Sequence, residues 1–228
     1  MKPGWYSLLQ ITDSLFPSGA FAHSYGLEGL LQRHDGLAVS AWRGILAEIW
    51  KTHLLRSDGL LGLQAHRAMV AGDLERVRDA DRVLHAMKLP RELREASTNT
   101  GRAFLAEAGA VVSTPLLEAL RAQVEAGTTP GHHAVVFQSV GAVLGADAGE
   151  SLVTWGYQTI AQMTAALLRL GVLGHRAATS LIASLGPVVD AGARRVLDLG
   201  AGDVASFAPL LEIASMRHER QYSRLFRS

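Results

Sequence analysis

Cysteine is absent from the 228 residues. That excludes disulfide frameworks, thiolate metal sites and cysteine nucleophiles together, and it agrees with a reducing, cytoplasmic setting. Concentrated charge of one sign is absent too: 22 Lys and Arg against 21 Asp and Glu give a formal charge of +1. A nucleic-acid binder carries a clustered basic excess, so no nucleic-acid partner is expected. The beginning, MKPGWYSLLQITDSLFPSG, lacks the sustained apolar stretch and small-residue cleavage site of a signal peptide. Internal repeats, low-complexity tracts and long linkers are missing as well. Hydrophobic residues make up 48% of the chain and charged residues 19%, the balance of a globular, rather apolar protein.

One segment imitates a membrane span. Ser151 to Leu168, SLVTWGYQTIAQMTAALL, has no charge and reaches the length at which a spanning helix is considered, about 18 residues. Thr154, Gln158, Thr159, Gln162 and Thr164 dilute it, while Leu152, Trp155, Ile160, Met163 and Leu167 recur at helical spacing. A helix buried in a bundle fits better, and no membrane association is expected.

Apolar periods near 3.6 dominate and strand-like alternation is scarce. The pattern predicts a helix over 5–14, stopped before Pro17, then a second from a Ser18 cap to about Gln32. His34 to Gly36 reads as a turn. Ser40 caps a helix with the stripe Trp42, Ile45, Leu46, Ile49 and Trp50. Further helices are expected over 58–71, closed by Gly72, over 73–88, from Pro90 through RELREASTNTGRAFLAEAGA, and from Pro115 to Gly127. HHAVVFQSVGAVLG is read as helical, followed by the uncharged helix already described. The remaining helices are 175–185, 187–199 and 207–216. The expectation is an all-α, single-domain bundle of about ten helices spanning 1–228, with two uncharged helices at its centre.

Four stretches carry polar chemistry. VLDLGAGD, Val196 to Asp203, imitates the glycine-rich turn of S-adenosylmethionine-dependent methyltransferases through Gly200 and Gly202. That turn needs strands on both sides, and only 25 residues follow Asp203, so a helix end is the plainer reading. His132-His133 is the obvious pair among nine histidines, but neighbours on a helix diverge by about 100° and seldom chelate one ion. No tight metal site or bound cofactor is expected.

The C-terminal end, MRHERQYSRLFRS, is basic and amphipathic. As a helix over 216–228 it gathers Arg217, Arg220, Arg224 and Arg227 on one face, with Tyr222, Leu225 and Phe226 opposite. It is either a solvated terminus or a segment ordered by a partner through arginine forks and aromatic anchors. Finally, TDSLFPSGAFAHSYGLEG, Thr12 to Gly29, crowds Asp13, Ser14, Ser18, His23, Ser24 and Glu28 around Pro17 and Gly19. A small hydrolase using Ser14 or Ser24 with His23 is one reading, but no GxSxG elbow accompanies it. The other is a capped helical entry, with Ser24 and Glu28 hydrogen-bonded at i and i+4 and with Gly19 and Gly26 allowing close packing.

The stretch DSLFPSGAFAHSYGLEG resembles the N-terminal hallmark of the urease accessory protein UreF family. REASTNTGRAFL, GHHAVVFQSVGAVLG with the long helix after it, and SFAPLLEIASMRHERQYSRLFRS match that family as well. The resemblance covers nearly the whole chain. It implies an all-helical, non-enzymatic homodimer that binds UreD (also called UreH) and recruits the GTPase UreG, for nickel- and GTP-dependent maturation of apo-urease. It further implies that a C-terminal segment including Arg217, His218, Arg220, Tyr222, Arg224 and Phe226 meets UreD. Phe16, Pro17, Gly19, His23, Tyr25, Gly26 and Glu28 are then a structured motif serving the dimer or a partner surface.

Overall fold

The computed structural model describes residues 4–32, 37–222 and 224–227; the turn expected at His34 to Gly36 lies outside them. Among the described residues the fold is all-α, with no strand and eleven α-helical segments. They are α1 Trp5–Thr12, α2 Leu27–Leu31, α3 Val39–Glu48, α4 Leu60–Ala71, α5 Leu74–Met87, α6 Arg91–Ala108, α7 Pro115–Glu125, α8 His133–Val143, α9 Ala148–Arg169, α10 His175–Val196 and α11 Pro209–His218.

Their ends follow from local chemistry. Asp73 and Thr114 cap α5 and α7 by accepting the backbone N–H of Arg76 and Leu117. Asp147 and Glu150 form a reciprocal capping box at α9, satisfying two donors that would otherwise be orphaned. Gly72 closes α4 with φ 74°, a left-handed turn that costs glycine little.

The two uncharged segments sit at the centre. Every residue of α8 from His133 to Gly141 is buried, and α9 buries Leu152, Trp155, Ile160, Met163 and Leu167 in the same core. No helix among the described residues is long and apolar enough to cross a membrane.

Four sequence expectations change. First, the helices expected at 40 and 58 are one rod, because Ile49–Gly59 continues from α3 into α4 with the wider π-helical turn. Trp50 on this stretch is fully buried against Trp155, ring centroids 5.4 Å apart. It is seated by glycines: a Cβ on Gly156 or Gly192 would come within 2.7 or 2.8 Å of the Trp50 ring.

Second, α10 runs unbroken through Pro187. Its buried stripe Leu181, Leu185, Val189, Ala193 and Val196 outweighs the cost of an interior proline, about 3 kcal/mol, and Pro187 itself faces solvent.

Third, the helix expected from Ser18 to Gln32 is broken. Gly19, Tyr25 and Gly26 have φ of 72°, 56° and 79°, left-handed conformations that no right-handed helix contains. A single 3₁₀ turn at Ala20–Ala22 and the short α2 take its place.

Fourth, the C-terminal helix stops at His218, so Arg217, Arg220, Arg224 and Arg227 do not share a helix face. Val196 to Asp203 likewise forms a helix end and a 3₁₀ turn, in which Asp203 accepts the N–H of Gly200 at 2.9 Å. No strand flanks it, so the methyltransferase reading fails.

Candidate functional site: a buried junction between the N-terminal motif and the C-terminal segment

The left-handed residues aim the motif inward. Phe16 packs on Phe104, centroids 5.0 Å apart, while Ser14 and Pro17 remain exposed. Gly19 has open space where a Cβ would sit, so its role is conformational rather than close packing. Gly26 serves both ends, since a Cβ there would lie 3.2 Å from Leu211 of α11. Tyr25 is turned so that its hydroxyl donates to Gln162 Oε1 at 2.5 Å; burial raises its pKa. Burial, and then the charge of Arg227, lowers that of His23 to about 4. Ser24 is fully buried, and its Oγ accepts the backbone N–H of Glu28 at 3.3 Å. The i, i+4 bond expected from the sequence thus exists, as a backbone cap. A serine so placed is sealed from any substrate, which removes it as a nucleophile.

Glu28 is the centre of the arrangement. Its buried carboxylate accepts from His218 Nε2 at 2.9 Å, from the Leu225 N–H at 2.7 Å and from the Phe226 N–H at 2.9 Å. Glu92 on α6 takes the other ring nitrogen, His218 Nδ1, at 2.7 Å, and Arg224 Nη1 at 2.8 Å. The two ring nitrogens of His218 thus bridge the two acidic side chains, linking α2 and α6 to α11 through one residue. Glu92 is also ion-paired with the Arg224 guanidinium, the kind of partner a buried carboxylate demands.

Around this junction Phe226 is buried. The Arg169 guanidinium lies between two rings, 3.7 Å from the centroid of Phe21 and 4.2 Å from that of Phe226, and the Arg227 N–H reaches the Ala22 carbonyl at 2.9 Å. Close approach of α2 to α11 requires Gly29, where a Cβ would stand 2.6 Å from the Ala214 carbonyl oxygen.

The structure therefore divides the C-terminal residues singled out from the sequence. His218, Arg224 and Phe226 are engaged with the chain's own body, whereas Arg217, Arg220 and Tyr222 point to solvent. Glu92, Arg169 and Phe21 were not singled out. Their partners lie between 57 and 148 residues away, and nothing local in the sequence marks such pairings.

A second polar cluster lies deeper. Lys88 and Asp58, both buried, pair at 2.8 Å. Burial alone would raise the pKa of Asp58, but the charges of Lys88 and His53 and hydrogen bonds from Lys88 and Ser57 hold it below the usual carboxylate value. Burial lowers His53 and His133 to about 4 and His132 to about 3, with Lys88 adding to each shift. His132 does not act with its sequence neighbour His133: its Nδ1 meets Ser97 Oγ at 3.0 Å and its Nε2 meets His85 Nδ1 at 3.1 Å. Asp81 anchors the loop before α8 by accepting the N–H groups of Gly131 and His132. Burial nevertheless raises its pKa to about 6. No cluster of three or more His, Asp or Glu suited to a metal occurs among the described residues.

The family model described as UreF matches residues 40–186, more than half of the chain. Among curated relatives, the urease accessory protein UreF of Arthrobacter sp. (strain FB24) is 36% identical over 225 residues, covering 97% of this chain and 96% of the relative. The protein of the same name from Paenarthrobacter aurescens (strain TC1) is 35% identical, covering 97% of each chain. That of Bradyrhizobium sp. (strain BTAi1 / ATCC BAA-1182) is 32% identical over 226 residues, covering 99% of this chain and 92% of the relative.

Proposed function

From the premise that this chain belongs to the UreF family of urease accessory proteins, and is thus no enzyme itself, we propose that it is a scaffold in nickel-dependent urease maturation. In this reading it binds UreD, recruits or regulates the GTPase UreG, and holds the two beside apo-urease in a cytoplasmic, GTP-dependent complex. Nickel is cargo of the assembly, and the scaffold works as a homodimer. Its contribution is positioning: binding energy shifts the partners toward the arrangement in which transfer occurs.

The observation that carries the reading is the bonding of Glu28 to His218, Leu225 and Phe226. It joins the N-terminal motif to the C-terminal segment as one surface, from which Arg217, Arg220 and Tyr222 project as three exposed side chains of interface type. Of the six C-terminal residues assigned to UreD contact, these three are the direct contacts in this proposal, and His218, Arg224 and Phe226 hold the segment in place for them. Phe16, Pro17, Gly19, His23, Tyr25, Gly26 and Glu28 shape the surface from the other side.

Size-exclusion chromatography with light scattering tests it, on the chain alone and then with UreD and with UreD plus UreG. The expected result is a dimer alone and stepwise mass gain with each partner. Separate elution of all three proteins would overturn the proposal.

A further inference from the structure

Between the rod formed by α3 and α4 and the helices α8 and α9 lies a cavity of about 50 Å³, lined by Asp58, Lys88, His133 and Thr159, with Tyr25 of the motif and Leu211 of α11 completing its wall. Most buried polar atoms of a folded chain are hydrogen-bonded, yet two on this wall are not. His133 is 6% exposed and Thr159 1% exposed, and neither His133 Nε2 nor Thr159 Oγ1 has a hydrogen-bond partner among the described residues. Lys88 Nζ stands 2.8 and 2.9 Å from the two oxygens of Asp58. An ammonium has three N–H groups, so one remains to be satisfied after both contacts to that carboxylate.

The chemistry of the wall selects what satisfies them. A cation meets the Lys88 ammonium, which already covers both oxygens of Asp58; an anion meets the Asp58 carboxylate. An imidazole buried neutral offers one donor and one acceptor, and a threonine hydroxyl offers both. A neutral molecule that donates and accepts fits every group. Polar cavities with several partners hold water, whereas apolar ones of this size stay dry.

We infer that this cavity is a hydration site holding about three ordered waters, which bridge the Lys88 ammonium, His133 Nε2 and Thr159 Oγ1. These waters are a structural component of the bundle. They fill the space beneath Tyr25 and Leu211 and complete the hydrogen bonding of α8 and α9 where those helices meet the buried ion pair.

A high-resolution crystal structure of the chain tests the assignment. The expected result is separate water density within hydrogen-bond reach of His133 Nε2, of Thr159 Oγ1 and of Lys88 Nζ. In the near-isosteric variant Thr159→Val, the water on Thr159 disappears while that on His133 stays. A dry cavity, with the Thr159 hydroxyl turned onto the Trp155 carbonyl, would overturn it. So would an anomalous scatterer or a halide in place of water, which would make the cavity an ion site. Water-proton magnetic relaxation dispersion on the wild-type chain in solution supplies a readout that needs no variant. Long-lived internal waters give a dispersion step, and a flat profile contradicts the inference.

Discussion

Glu28 and His218, separated by 190 positions in the chain, meet at 2.9 Å in a fully buried contact. The same carboxylate carries two backbone N–H groups of the C-terminal segment, so one side chain ties the two ends of the described fold together. Glu28→Ala removes the shared partner of the His218 ring and of two backbone N–H groups at once. Removing one partner of a buried pair costs about 3–5 kcal/mol. Chemical denaturation is expected to show a loss of that order, and hydrogen exchange a rise in the amides of Leu225 and Phe226. Unchanged protection of those two amides contradicts the junction.

Packing of α2 on α11 gives a second expectation. A methyl group on Gly29 drives into the Ala214 backbone, and such overpacking typically costs about 1–3 kcal/mol. Gly200 has open space around it, so Gly200→Ala serves as a neutral control. The difference in denaturation midpoint between the two variants is the measurement, and equal midpoints would refute the close approach.

The Lys88–Asp58 pair predicts non-additivity. Lys88→Met leaves Asp58 buried and unpaired, at a cost of about 3–5 kcal/mol. Adding Asp58→Asn removes that charge and is expected to restore part of the loss. A double-mutant cycle by urea denaturation reads the coupling, and additive losses would show that the two groups do not act as a pair.

Stability should also fall in acid. His53, His132 and His133 are held below the unfolded value of 6.5 chiefly by burial, so in that range the unfolded chain binds more protons than the folded one. Their stabilisation is complete above about pH 6.5 and drains away as pH drops toward about 4. Asp81 opposes this, because its raised value near 6 lets the folded state take up a proton first. The three histidines outnumber it. Each net proton contributes a slope of about 1.4 kcal/mol per pH unit. Urea midpoints between pH 7.5 and 5 should therefore decline, and less steeply in His53→Gln. A flat profile would contradict the burial of neutral histidines.

The helical plan was legible from the sequence wherever a local signal existed. Gly72 marked the end of α4, Pro115 the start of α7, and the uncharged runs around Val136 and Ile160 the centre of the bundle. Local signals misled where tertiary burial overrode them: Pro187 stands inside α10 because Leu185 and Val189 on either side are buried. The motif looked like one capped helix because its left-handed backbone at Tyr25 leaves no periodic trace. Glu28 and His218 stand out in the sequence as motif residues, but nothing there marks their pairing, and no local signal marks Glu92 or Arg169. Periodicity describes neighbours within a turn or two, whereas these contacts are fixed by how whole helices pack.

The central claim, that the junction presents Arg217, Arg220 and Tyr222 to a partner, is tested most directly by the triple variant Arg217→Ala, Arg220→Ala, Tyr222→Ala. All three side chains are exposed, so helical circular dichroism should match the wild type. The measurement is the affinity of purified variant and wild type for UreD. A loss of tenfold or more, about 1.4 kcal/mol, with helicity intact is the predicted result. Undiminished binding would contradict the account.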